Sequence, residues 1–189
     1  MSPVKERADA ARNRRAILDA TAALLAEHGA DGVTMERVAA AAGVGKGTIF
    51  HRFGTRAGLL HEMVAERAFT LRARVADGPP PLGPGAPAAD RLRAFLDAMA
   101  GLVIDNLELM TILRTEPPHP RTEELHRFWH EHLTALLEDA RPDVDAEIVG
   151  RLLLDSLAGA TVPELARSGS VDRLLAAVRE LVDSVLRTP

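Results

Sequence analysis

Apolar positions recur at helical spacing along almost the whole chain. Ile17, Thr21, Leu24, Leu25 and His28 share one face, and Gly29 follows as a stop signal. Thr34 is a capping residue before Met35, Val38, Ala39 and Ala42. A short turn at Gly43, Val44 and Gly45 leads into a predicted helix over 46–53, which Gly54 ends. Thr55 then caps a longer helix carrying Leu59, Leu60, Met63 and Val64, although Gly58 stands where a reinforcing Glu is usual. Residues 77–87 (DGPPPLGPGAP) interrupt the pattern, because proline and glycine at that density cannot continue a helix. The main internal boundary is expected between Gly54 and this loop.

The periodicity then resumes. Leu92, Phe95, Leu96, Met99, Leu102 and Val103 form one stripe, and 109–114 predicts a short helix cut by Pro117, Pro118 and Pro120. Leu125, Phe128, Trp129, His132, Leu133, Leu136 and Leu137 form the cleanest stripe, stopped by Pro142. Ile148, Leu152, Leu153, Leu154 and Leu157 are apolar on more than one side, which predicts a helix buried from two directions. Thr161 and Glu164 flank Pro163 and predict a kink or restart there. Ser170 caps a last helix carrying Val171, Leu174, Leu175, Val178, Leu181, Val182, Val185 and Leu186. No strand pattern and no internal repeat is visible. The expected fold is all-α, with about nine helices.

Composition narrows the function. The 189 residues contain no cysteine, so disulfides, thiolate metal sites and thiol redox sensing are excluded. The polar, basic N-terminus does not read as a signal peptide, and no run reaches the ~18 apolar residues of a membrane span. The expected address is the cytoplasm. The net charge of −4 conceals an asymmetry. Residues 1–76 carry twelve Lys and Arg against eight acids, a balance of +4; the remainder carries 11 against 19, a balance of −8. A basic end on an acidic body suggests a polyanionic partner at that end.

Residues 34–53 (TMERVAAAAGVGKGTIFHRF) sharpen that suggestion. They predict two short helices joined by a tight turn. Ala39 permits a close crossing, Gly43 supplies a positive φ, and Val38, Val44 and Ile49 are spaced to pin the helices together. That is a helix-turn-helix, whose second helix enters the major groove. The small GKGT start permits close approach to a duplex, and Lys46, Thr48, His51 and Arg52 can reach phosphates or base edges. A helical hairpin in an ordinary bundle would explain the apolar positions, but not the small and basic residues beginning an exposed helix.

From Arg15 to about Met63, and above all in AAGVGKGTIFHRFGTRAGLL at 41–60, the chain resembles the TetR family of repressors. The resemblance implies a DNA-binding domain over 11–71 and a ligand-binding and dimerisation domain over 72–189. It implies that Thr34 caps the second helix and touches a phosphate. Lys46, Gly47, Thr48, Phe50, His51 and Arg52 would form the DNA-facing surface. Arg56 would contact backbone phosphate, and Phe53 would be core. Phe50 stands where the family usually has Tyr, which removes one phosphate hydrogen bond, and Gly45 replaces a common small hydroxyl residue. The arm around Lys5, Arg7 and Arg12 to Arg15 reads either as a backbone or minor-groove contact or as a solvated tail.

The resemblance also implies a homodimer joined through the last two helices, with Leu153, Leu157, Leu174, Val178, Leu181 and Val185 at the interface. Two-fold symmetry then predicts a palindromic double-stranded operator. Met99, Val103, Leu113, Phe128, Trp129 and His132 are the expected lining of a pocket for a small, mostly apolar effector. His132 reads either as a ligand-orienting group or as a core histidine bonded to a carbonyl. Glu123, His126 and His130 share a flank at metal-compatible spacing, with His119 nearby, yet no further ligand is evident and no metal or other cofactor is expected. No catalytic constellation is visible, and HEH at 130–132 is not a metalloprotease motif. A regulator released from DNA by its ligand is the favoured reading. An activator or dual regulator, or a non-specific architectural DNA binder, are the alternatives; the acidic overall charge disfavours the last.

Overall fold

The computed structural model describes residues 3–117, 119–159, 162, 164–165 and 168–187, with the side chains of 3–8 and 158 outside that description. Its elements are α1 (Pro3–His28), a 3-10 turn (Ala30–Gly32), α2 (Met35–Ala42), α3 (Lys46–Phe53), α4 (Arg56–Asp77), α5 (Ala88–Asp105), α6 (Leu107–Leu113), α7 (Pro120–Ala140), α8 (Ala146–Ala158) and α9 (Val171–Leu186). The fold is all-α, with no strand among the described residues. No helix among them is long and apolar enough to cross a membrane. The chain divides into two compact units, 1–64 with 115–117 and 65–114 with 118–189, so the division falls inside α4 between Val64 and Ala65.

In the first unit, Ile17, Val33, Val38, Ile49, Leu59 and Leu60 are fully buried. Thr21 lies among the buried residues and satisfies its hydroxyl by donating to the Ile17 carbonyl at 2.7 Å, the local bond by which a helical threonine can sit in a core. Thr34 caps α2, its hydroxyl accepting from Arg37 N at 3.2 Å. Gly43 ends that helix at φ 65°, ψ 29°, a left-handed conformation that costs other residues energy. Val44 N then reaches the Ala39 carbonyl at 3.0 Å and closes the turn. α1 runs from Pro3 without interruption, so the stretch read as an arm begins a helix; the Lys5 and Arg7 side chains lie outside the described residues.

The second unit packs α5, α7, α8 and α9 around Leu92, Phe95, Leu96, Leu125, Trp129, Leu133, Leu137, Leu153, Leu157 and Val182. Asn106 explains why α6 starts two residues earlier than periodicity predicts. Its buried amide donates to the Leu102 carbonyl at 2.7 Å and accepts from Arg67, which ends α5; its own carbonyl accepts from Met110 N at 2.8 Å, which starts α6. Across the α5–α9 surface, Arg93 pairs with Asp183 and Asp97 with Arg179, each at 2.8 Å.

Two expectations are corrected. α8 is not buried from two directions in the single chain: Leu153 and Leu157 face the core, while Ile148 and Leu152 are 51% and 64% exposed. Ser170 occupies the start of α9 but makes no capping bond, because its φ of −99° and ψ of 28° are not those of a side-chain cap. The cap that the sequence reading missed is Asp145, which accepts from Ile148 N at 3.1 Å at the start of α8. The restart expected at Thr161 and Pro163 lies outside the described residues.

Candidate nucleic-acid interface

α3 buries only two of its side chains. Ile49 and Phe53, four residues apart, are buried beneath it; Lys46, Gly47, Thr48, Phe50, His51 and Arg52 are all exposed. No acidic residue lies in its first turn. Gly45 precedes the helix in an extended conformation and supplies no side-chain cap, so the amides of Lys46 and Gly47 have no helical acceptor. Such amides, at the positive end of the helix dipole, favour an anionic oxygen.

Gly47 is open. A methyl group there would meet nothing within 4 Å, and its backbone is ordinary helix. Glycine inside a helix costs roughly 0.5–1 kcal/mol relative to alanine. The described residues give no packing reason for a glycine there, as is also true of Gly101 in α5. Gly58 is the opposite case. A Cβ there would collide with the Phe53 carbonyl, so the Glu that usually reinforces a cap cannot stand there. Thr55 still caps α4 by accepting from Gly58 N at 3.0 Å.

The basic groups around α3 are unequally engaged. Lys46 reaches Glu36 on α2 at 3.4 Å. A backbone hydrogen bond, and secondly Lys46, hold the Glu36 carboxyl below the usual carboxylate range. Arg52 donates to the Ala10 carbonyl of α1 at 2.6 Å. Arg56 turns inward, donating from Nε to the Val33 carbonyl at 2.8 Å and from Nη2 to the Ala30 carbonyl at 2.6 Å. Neither bond was visible from the sequence, since the acceptors are main-chain atoms 23 and 26 residues away. On α1, Arg12 and Arg15 are exposed and pair along the helix with Asp9 and, at 3.8 Å, Asp19, whereas Arg14 pairs with Glu62 at 2.6 Å.

The expected effector-pocket residues separate. Met99 and Trp129 are buried in one cluster, with Val103 and Phe128 packed against it; Leu113 is buried on α6 outside that cluster. Phe95 is the hub the sequence did not single out, 5.6 Å from Trp129 and 5.2 Å from His132, ring to ring. Phe128 stacks on His132 with centroids 6.0 Å apart and planes within 4°. These rings pack against one another. Two surface clefts, of about 150 Å³ at Arg74 and Pro79–Leu82 and about 120 Å³ between α5 and α9, include none of the expected lining residues. The His132 Nε2 atom is buried without a hydrogen-bond partner. Burial, and secondly the Arg91 charge, depress this imidazole to about 4. Among the described residues no group of three His, Asp or Glu side chains is placed to share a metal ion.

The expected dimer residues also separate. Leu153, Leu157, Leu174 and Val178 are buried within their own chain. Leu181 is 44% exposed and Val185 half-buried. The outward apolar residues of α8 are Ile148 and Leu152, one turn apart.

Residues 17–63 match the family model for bacterial regulatory proteins of the tetR family. The chain is 26% identical over 199 residues to the HTH-type transcriptional repressor AcnR of Corynebacterium efficiens, covering 94% of each. Among solved structures it is similar to a transcriptional regulator of the TetR/AcrR family from Thermobifida fusca, with TM-score 0.69 and 22% identity over 93% of this chain and 98% of that one. A transcriptional regulator from Rhodococcus aligns with TM-score 0.66 and 20% identity over 93% and 99%.

Proposed function

We propose, from the match of residues 17–63 to the family model for bacterial regulatory proteins of the tetR family, that this chain is a sequence-specific transcriptional repressor acting as a homodimer in the cytoplasm. The observation that carries the reading is the division of labour on α3: two side chains bury the helix, and every other one is left outside, small or basic at its start. Likeness across 94% of the chain to a protein described as a repressor supports the sign of regulation.

In this reading α3 enters the major groove. Lys46, Thr48 and His51 meet the duplex, Gly47 lets the backbone approach, and Thr34 lies at a phosphate. Two copies related by a two-fold axis read half-sites in major grooves ~34–36 Å apart, or a multiple of that. The outward residues Ile148, Leu152 and Leu181 support pairing through α8 and α9.

We place a small, mostly apolar effector among the rings of α5 and α7. Two buried polar atoms there, Arg91 Nε and His132 Nε2, have no hydrogen-bond partner. The rings are packed together, so a ligand entering must part them, and α4, whose residues belong to both units, is the element that would carry the change. Linkage then requires effector and DNA to weaken each other equally.

Selection of random duplex DNA on the purified protein, at fixed salt, tests the reading. A palindromic consensus is expected. Tight, salt-sensitive binding without any enriched sequence would replace it with the architectural reading.

A further inference from the structure

The inward turn of Arg56 bears on how the interface is built, and its meaning rests on the DNA-binding reading. Arg56 opens α4. Its Nε and Nη2 form a fork on two main-chain carbonyls, Val33 at 2.8 Å and Ala30 at 2.6 Å. Both carbonyls belong to residues with buried side chains, Ala30 in the 3-10 turn and Val33 just after it. The next residue, Thr34, caps α2 through Arg37 N. The fork therefore ties the start of α4 to the start of α2, the two segments that flank the recognition helix and its turn.

We propose that Arg56 is a positioning residue for DNA binding: its guanidinium fixes the Ala30–Thr34 segment, and hence the seat of α2 and α3, while phosphate is met by other groups. A lysine cannot replace it, because a single ammonium on a flexible stem cannot reproduce a planar fork on two carbonyls. An arginine that left for a phosphate would abandon two charge-assisted hydrogen bonds to carbonyls in a partly buried site. Lys46, at the exposed start of α3, makes no such internal commitment beyond one contact with an exposed carboxylate at 3.4 Å.

The test uses the full chain and a duplex recovered from a random library with the parent protein. Affinity is measured over a range of salt for the parent, R56K and R56Q, each first confirmed folded by circular dichroism and melting. Positioning predicts that both variants lose about tenfold or more in affinity and that R56Q keeps the parent's salt slope, because no phosphate contact has gone. A phosphate ligand gives the reverse: R56K stays within about twofold of the parent, and R56Q loses about 0.9 from the magnitude of the slope. That pattern overturns the proposal, as does unchanged affinity in folded R56Q, which would leave Arg56 a stabilising residue only. Should the variants fail to fold, the Arg56 Nε–H resonance of the parent decides. It is expected to hold its position when the duplex is added, and a large shift means that the fork opens onto DNA. A parent protein that enriches no duplex would defeat the functional reading itself, and this inference with it.

Discussion

Arg141 and Asp143 are joined by two parallel hydrogen bonds, Nε to Oδ1 and Nη2 to Oδ2, each 2.7 Å long. The bidentate pair leaves Nη1 for the far end of the chain, where it donates to the Val185 carbonyl and, at 2.8 Å, to that of Arg187. Val185 lies in the last turn of α9, where helix geometry provides no internal donor, and Arg187 just beyond it. Asp143 thus orients Arg141, and Arg141 closes α9. Substituting R141A is expected to lower Tm by about 5 °C and to speed amide exchange in the last turn of α9 before the rest of the unit. Uniform exchange rates across the unit would refute the capping role.

Gly47 offers a separation of stability from binding. Since a methyl group there meets nothing within 4 Å, G47A is expected to stabilise the fold by roughly 0.5–1 kcal/mol through helix propensity. The same change places a carbon on the face proposed for DNA, so affinity for a selected duplex is expected to drop. A variant that is both more stable and equally tight in binding would show that the open position is not approached by the duplex.

His132 predicts an acid limb of stability. Its neutral form is favoured in the fold, where it is held near 4 against an ordinary 6.5. The unfolded chain therefore binds more protons than the folded one between those values, and stability falls as pH drops through that window. Comparing Tm of the parent and H132Q from pH 7 to pH 4 checks this. The parent is expected to lose stability faster on acidification, and parallel curves would assign the acid limb to other groups.

Ile148 and Leu152 separate pairing from folding. L152E, on a side chain 64% exposed, is expected to convert a dimer to monomer in light scattering while leaving the melting of the single chain nearly unchanged. L153E, one residue on and 4% exposed, is expected to damage the core itself. A dimer that survives L152E would move the contact away from this face.

These cases show where sequence reading succeeds and where it stops. The bounds of α3 were legible because Gly45 and Gly54 punctuate a short run, and the turn was legible because Gly43 has one conformational use there. Leu153 and Leu152 were not separable, since a helix with apolar residues at 148, 152, 153, 154 and 157 has two candidate faces and periodicity does not say which one its own chain takes. Phe95 was counted in a stripe, but its central place among Trp129 and His132 depends on a neighbouring helix. Arg56 was given its phosphate contact by its position in the family pattern. Its acceptors are carbonyls, which every residue carries, so no residue pattern could mark them.

The two charge pairs between α5 and α9 have a consequence beyond their small individual strengths. Arg93 and Asp97 are one turn apart, and so are Arg179 and Asp183; the pairs cross antiparallel, Arg93 to Asp183 and Asp97 to Arg179. Sliding α9 by one turn, about 5.4 Å, would set Arg93 against Arg179 in one direction and Asp97 against Asp183 in the other. Either slip turns attraction into repulsion. The four side chains act as a vernier: exposed and individually weak, they mark one axial setting of the last helix as correct and penalise its nearest neighbours on both sides.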